Sequence, residues 1–194
     1  VKQTLFFASG NPAKAAEIRA VLPEQFELVT LAELGFYEEI EETGTTLEEN
    51  AFIKAAYLHN RTGGLCIADD SGLEVVALHG RPGVLSARYA GTPSDDLANM
   101  VFLIKQLEGL SRQARFRTVI ACILPDSTRY FFEGVITGHI ADQIRGQFGF
   151  GYDPLFIPAG FDKTFGELDP AIKRANSHRT MAIMALVNFL VSQQ

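Results

Sequence analysis

The order of apolar runs and amphipathic stretches along the chain reads as alternating strands and helices. Leu5 to Ala8 is a short unbroken apolar run, the pattern of a strand buried on both faces. Ser9-Gly10-Asn11 forms a tight turn, after which Asn11 can cap a helix and Pro12 suits its first position. Ile18, Val21 and Leu22 give this predicted helix its apolar stripe, and a short strand follows near Glu27 to Leu31. Thr46-Leu47-Glu48-Glu49 has the spacing of a capping box. The helix it opens carries a core stripe of Leu47, Ala51, Ala55 and Leu58 and ends at Gly63-Gly64. Leu65 to Ala68 predicts a further buried strand that ends at Asp69-Asp70, with Ser71-Gly72 offering a turn.

Beyond Pro93-Ser94 a third helix is predicted, with Leu97, Val101, Ile104 and Leu107 facing the core. Arg115 to Leu124 and Arg129 to Gly138 read as two strands around a turn at Pro125-Asp126-Ser127. Asp169-Pro170 opens a short helical turn, and Asn176 or Ser177 opens a last helix through about Val191. Early alternation with a strand pair in mid-chain predicts a mixed α/β fold around a mixed sheet, in one domain over 1–194.

Composition narrows the function classes. The 194 residues are 47% hydrophobic and 21% charged, ordinary for a globular protein with a full core. No apolar run approaches the ~20 residues of a membrane span. The apolar first residues lack the basic flank and small-residue cleavage site of a signal peptide. A net charge of −6 argues against a nucleic-acid or anionic-membrane surface. Cys66 and Cys122 lie in apolar runs and read as inert core thiols, and the absence of a Cys/His cluster implies no zinc site. The expectation is a cytoplasmic enzyme without membrane or nucleic-acid partners.

Three themes carry the chemistry. The first is phosphate. Ser9-Gly10-Asn11-Pro12-Ala13-Lys14 is a strand–turn–helix junction, where free N–H groups and the dipole favour anions. Lys14 opposes that dipole, so something anionic should offset it. The segment is no P-loop, because the GxxxxGK[ST] spacing is absent. Lys173 and Arg174, and His178 and Arg179, repeat the pattern of cations at helix starts, which suggests a shared anionic ligand. The second theme is metal. Asp69 and Asp70 close a strand, Glu41, Glu42, Glu48 and Glu49 add oxygen donors of the kind Mg²⁺ prefers, and only one of two adjacent strand carboxylates can face a given site. Glu48-Glu49 is explained by the capping box alone. The third is base recognition, through aromatics set among glycines in Phe148-Gly149-Phe150-Gly151-Tyr152-Asp153-Pro154.

Together these segments resemble the inosine triphosphate pyrophosphatase family. The resemblance rests on Ser9 to Lys14, Glu41 to Ala51, Ala68 to Leu73, Pro82 to Gly91, Gly149 to Phe156 and Ser177-His178-Arg179, in that order. It covers nearly the whole chain, and the set is far more specific than any one stretch. The tail departs slightly, with Ala175-Asn176-Ser177 where the family often has Ala-Ile-Ser.

The resemblance implies an elongated mixed β-sheet with flanking helices, forming two lobes around a central nucleotide cleft. It implies a homodimer, a Mg²⁺ cofactor, and hydrolysis of dITP, ITP or XTP to the monophosphate and pyrophosphate. By the same carry-over Asp70 is general base and metal ligand, and Glu41 or Glu42 joins the metal. Ser9, Gly10, Asn11, Pro12, Ala13, Lys14 and Ser71 hold phosphates, with Lys14 also stabilising the departing pyrophosphate. Phe150, Gly151, Tyr152 and Asp153 hold the nucleoside, and Lys173, His178 and Arg179 complete the contacts. A donor from His178 or Arg179 aimed at the base would favour a 6-oxo purine over adenine. Two other readings compete. A phosphatase with an Asp nucleophile would release inorganic phosphate, but the usual alternating Asp pair is absent. A nucleotide sensor would bind without turnover, and has no need of the carboxylate set.

Overall fold

In the computed structural model, which describes residues 2–192, the early apolar run is strand β1 (Gln3–Phe7), with Leu5 and Phe7 fully buried. The terminal residues Val1, Gln193 and Gln194 of the predicted 1–194 domain lie outside the described residues. Helix α1 (Pro12–Arg19) starts as expected, with Pro12 at its first position and the Asn11 side chain accepting from the N–H groups of Ala13 and Lys14. It buries Ala15 and Ile18. Val21 and Leu22 lie past its end but still pack on the same core. Strand β2 (Phe26–Thr30) pairs parallel with β1.

Helix α2 (Leu47–Thr62) has the predicted capping box, with Thr46 and Glu49 each satisfying the other's backbone N–H. It ends at Gly63, whose φ of 64° is the left-handed conformation that glycine adopts without a Cβ penalty. Its buried face is Leu47, Asn50, Ala51, Ala55 and Leu58, the expected stripe with a polar residue added.

Strand β3 (Cys66–Val75) corrects the expectation that Asp69 and Asp70 end a strand. Backbone pairing carries on through Ser71-Gly72, so neither carboxylate caps a turn there. The cause lies downstream: Leu73 and Val75 are fully buried and continue the strand. Two 3₁₀ turns, Val76–Leu78 and Gly83–Arg88, follow, then helix α3 (Asp96–Gln106). The α3 stripe is corrected in its first half only, since Leu107 is buried and Ile104 packs on the core as expected. Leu97 and Val101 are exposed, and the buried face is Asn99, Met100 and Leu103. The side chain of Asn99 bonds the backbone at Ala87 and Ala90, which turns the helix away from the phase its apolar residues suggest.

Strands β4 (Gln113–Ile123) and β5 (Arg129–Ile140) flank the predicted turn. They are followed by β6 (Phe156–Pro158), which the sequence reading omits because it is too short to show a period. Helices α4 (Pro170–Ala175) and α5 (His178–Ser192) close the chain. The sheet order is β2-β1-β3-β4-β5-β6. The β1 pairings are parallel and β5–β6 is antiparallel, so the sheet is mixed as predicted.

The chain divides into two compact units, each with its own core. Among the described residues, the first comprises 2–70, 118–134 and 179–192, and the second 71–117 and 135–178. In the first, Leu5, Phe7, Ile18, Ile67, Ile120, Ile183 and Leu186 form the centre of the core. In the second, Leu73, Leu103, Phe116, Phe156 and Phe165 do so, with Phe116 and Phe156 centroids 4.6 Å apart.

Both cysteines are buried, as expected. Burial pushes the Cys66 thiol up, and pushes the Cys122 thiol up to about 12. A disulfide reagent at pH 8 should therefore leave the folded protein unlabelled while titrating both cysteines of the denatured chain. Rapid labelling of the native protein at Cys122 would contradict this packing.

Candidate active site

Adjacent residues on a strand face opposite sides, so Asp69 and Asp70 of β3 meet different surroundings within the first unit. Asp69 is 1% exposed and ion-paired to Lys14, with Nζ 2.9 Å from Oδ2, and to Arg179, with Nε 3.5 Å from the same oxygen. Arg179 is itself held by Glu17, with Nη1 donating to Oε2 at 2.6 Å. Lys14 comes from the first turn of α1 and Arg179 from that of α5. The anion that offsets Lys14 at its helix start is thus Asp69, a residue of this chain.

Burial alone would push the Asp69 carboxyl up. The Lys14 ammonium, the Arg179 guanidinium and Lys54 outweigh it, and hold the group well below the usual carboxylate range. Asp69 stays ionised and matched by cations.

Asp70 is 8% exposed and is shifted in the opposite direction. Burial pushes its carboxyl up, the Glu42 carboxylate adds to the rise, and Lys54 and Lys14 only partly oppose it. Lys54 of α2 donates to Asp70 Oδ1 at 3.4 Å and to Glu42 Oε1 at 2.5 Å. For Lys54, burial would lower the ammonium pKa, but the carboxylates of Asp70, Asp69 and Glu42 carry it above its ordinary value. Among the described residues, buried Asp70 Oδ2 and Asn50 Nδ2 each lack a well-formed hydrogen bond, although the Asn50 side chain also works against the rise of the Asp70 carboxyl. The pair Glu41-Glu42, left open by the sequence, is separated here: Glu42 is half-buried on Lys54, and Glu41 is exposed.

The oxygen donors suit a hard divalent cation. Mg²⁺ takes one or two protein carboxylates and fills its octahedron with water and substrate phosphate. Asp70 and Glu42, with one orphaned oxygen and a shared ammonium between them, fit that role. Among the described residues there is no larger His, Cys, Asp or Glu cluster that would form a closed metal cage.

The phosphate turn is already organised. Ser9 Oγ accepts from Asn11 N–H at 3.2 Å, and Asn11 Oδ1 takes the Ala13 and Lys14 N–H groups. Gly10, Pro12 and Ala13 are exposed, and a Cβ at Gly10 would meet nothing within 4 Å. Ser71 follows Asp70 in β3 and is half-buried.

In the second unit the Gly-aromatic loop is built around Asp153. Its Oδ2 accepts from Lys173 Nζ at 2.7 Å and from the Phe150 N–H at 2.8 Å. Gly149 has a φ of 79°, and a Cβ there would lie 2.0 Å from that same oxygen, so the loop closes on the carboxylate only with glycine at this position. Lys173 Nζ sits 4.9 Å from the Phe150 ring centroid. Phe150 is 36% exposed, whereas Tyr152 is 4% exposed and belongs to the core. His178 is buried and stacks on Phe116 at 4.7 Å and 11°.

Lys54, Glu17 and Asn50 were not anticipated from the sequence. A signal for two of them exists: Asn50 and Lys54 interrupt the apolar stripe of α2 at positions where a polar side chain must find a buried partner. Glu17 carries no comparable signal.

The two aspartates should respond differently to neutralisation. Asp69→Asn leaves Lys14 and Arg179 short of a buried counter-charge and should cost about 3–5 kcal/mol at pH 7. Because the folded pKa is depressed, this contribution is present above the unfolded carboxylate value near ~4 and fades as pH falls below it. Urea unfolding of the two proteins should therefore differ strongly at pH 7 and converge in acid. Equal midpoints at pH 7 would refute the assignment.

Comparison with known proteins places the chain in a family. The Ham1 family model matches residues 5–189. A dITP/XTP pyrophosphatase of Porphyromonas gingivalis is 48% identical, covering 97% of this chain and 98% of that protein. The enzyme of the same name in Bacillus subtilis is 43% identical, with 98% of each chain covered. Among solved structures, the Staphylococcus aureus Ham1 protein superposes with a TM-score of 0.91 at 39% identity, covering 99% of this chain and 100% of that one. The Mycobacterium abscessus nucleoside-triphosphatase / dITP/XTP pyrophosphatase gives 0.80 at 45% identity, covering 95% of this chain and 99% of that one. With the match running from β1 into α5, this chain belongs to the Ham1 family.

Proposed function

We propose that this protein hydrolyses the non-canonical purine nucleoside triphosphates dITP, ITP and XTP to the monophosphate and pyrophosphate, clearing them from the nucleotide pool. The observation that carries the reading is the contrast between Asp69 and Asp70: neighbouring carboxylates, one paired directly with Lys14 and Arg179 and held ionised, the other sharing Lys54 with Glu42 and with a raised pKa. Pairs of titratable groups driven apart in this way mark an acid–base site. The names of the relatives support the substrate class.

In this reading Asp70 holds the attacking water and takes its proton at Oδ2. Glu42 and Asp70 would hold Mg²⁺, with Lys54 between them fixing the two carboxylates. When bound, Mg²⁺ supplies charge neutralisation at the phosphates. Lys14 and Arg179 add positive charge for the triphosphate and stabilise the departing pyrophosphate, while Asp69 and Glu17 hold them in place. No covalent intermediate is required.

In the second unit, the exposed face of Phe150 offers a stacking surface for the base. A 6-oxo purine presents an acceptor where adenine presents a donor. Arg179 is committed to Glu17 and Asp69, so we assign the discriminating donor to His178. A homodimer in the cytoplasm completes the proposal. No helix among the described residues is long and apolar enough to cross a membrane.

Pyrophosphate release should be measured with dITP, ATP and dGTP, in Mg²⁺ and in EDTA. The expected result is metal-dependent pyrophosphate from dITP and little from ATP or dGTP. Inorganic phosphate instead would favour a phosphatase, and binding without turnover a sensor. In the same assay Glu42→Gln should lose about tenfold or more, while Glu41→Gln stays within about twofold. Equal losses at the two positions would overturn the choice of Glu42.

A further inference from the structure

The segment Pro82 to Gly91 is part of the family pattern, yet the chemistry above gives it no task. In the second unit it is tied down at several points. Ser86 Oγ donates to Gly83 O at 2.6 Å and accepts from Leu73 N–H at 2.9 Å. Asn99, 2% exposed, accepts from Ala90 N–H at 2.7 Å and donates to Ala87 O at 2.9 Å. Segment, strand β3 and helix α3 thereby form one fixed support.

The Gly-aromatic loop is tethered to that support twice, at consecutive residues. Tyr152 Oη donates to Ser86 O at 2.9 Å. Gly151 N–H donates to Asp96 Oδ2 at 2.8 Å, between residues 55 positions apart in sequence. Asp96 is not the helix cap, since Asp95 Oδ1 takes the Ala98 N–H. A carboxylate in a first helical turn gains from the dipole alone, but here one of its oxygens points at another loop and fixes a backbone N–H beside Phe150.

Gly149 and Gly151 both adopt positive φ, at 79° and 60°; the Phe150 N–H is held by Asp153 Oδ2 on one side, and the Asp96 bond to the Gly151 N–H fixes the other. Ordering such a loop on binding weakens affinity, and ordering it beforehand restores it.

We propose that Asp96 is a positioning residue for base recognition. By holding the Gly151 N–H it fixes the loop so that the Phe150 ring is presented before the substrate arrives. The proposal rests on the reading that Phe150 stacks on the base. Its effect falls on substrate affinity and leaves the chemical step alone, because Asp96 acts on the loop that carries Phe150.

The test is steady-state kinetics with dITP on Asp96→Ala, Asp96→Asn and Phe150→Ala, with melting temperatures alongside. Asp96→Ala should raise KM about five- to tenfold and leave kcat within about twofold. Asp96→Asn keeps an acceptor oxygen and should restore most of the affinity. Melting temperatures should move little. Three results would overturn the proposal while leaving the stacking reading in place. One is an unchanged KM in Asp96→Ala while Phe150→Ala raises it. Another is equal failure of the Asn and Ala variants, which would mark a helix-dipole charge. The third is a fall in kcat together with melting temperature, which would mark a structural role. An unchanged KM in Phe150→Ala would remove the stacking reading itself, and the proposal with it.

Discussion

Two adjacent buried carboxylates on one strand are the constraint around which the first unit is arranged. Their side chains leave β3 on opposite faces, so each pairs directly with different cations. Asp69 draws Lys14 from α1 and Arg179 from α5, and Asp70 draws Lys54 from α2, which in turn holds Glu42. Three helices and one loop are thus fixed in register by the charges of two neighbouring residues. The helix starts carry cations against their dipoles because the anions they meet are closer and more buried than the dipole is strong.

Such a cluster is a poor way to stabilise a protein. Replacing buried ion pairs with apolar residues of similar volume is often neutral or stabilising, so stability alone does not call for two aspartates here. The arrangement instead produces unequal partners. Asp69 is surrounded by enough positive charge to stay ionised, and so holds Lys14 and Arg179 in place. Asp70 is left with burial, a neighbouring carboxylate and one shared ammonium, the surroundings that raise a pKa. The proposed role of Asp70 as a base draws on that raised pKa, which is set by what the rest of the unit withholds.

The sequence showed most of this wherever the signal was local. The capping box at Thr46, the Asn11–Pro12 helix start and the strand pair around the 125–127 turn depend on near neighbours and appear as expected. It misled where a buried polar group decided the packing. Asn99 rotates α3 away from the face that Leu97 and Val101 suggest, and apolar periodicity has no way to count a buried asparagine as core. β3 outran its predicted end because Asp69-Asp70-Ser71-Gly72 looks like a turn until the partners of the carboxylates are known. Lys54 was missed for the same reason: its meaning lies in Asp70, 16 positions away, and in Glu42. The difference between Glu41 and Glu42 is likewise invisible in the sequence, because the Lys54 contact that Glu42 makes is encoded by no spacing rule.

The most direct test of the division between the two aspartates is Asp70→Asn, assayed for pyrophosphate release from dITP and for urea unfolding on the same preparation. The account predicts a loss of roughly 10²–10⁴-fold in kcat, the worth of a general base. It also predicts an unfolding midpoint held or raised, because a carboxyl with a raised pKa gains little by being ionised in the fold. Near-normal turnover would remove Asp70 from the chemistry, and a collapse in stability would show that Asp70 too is held by its charge.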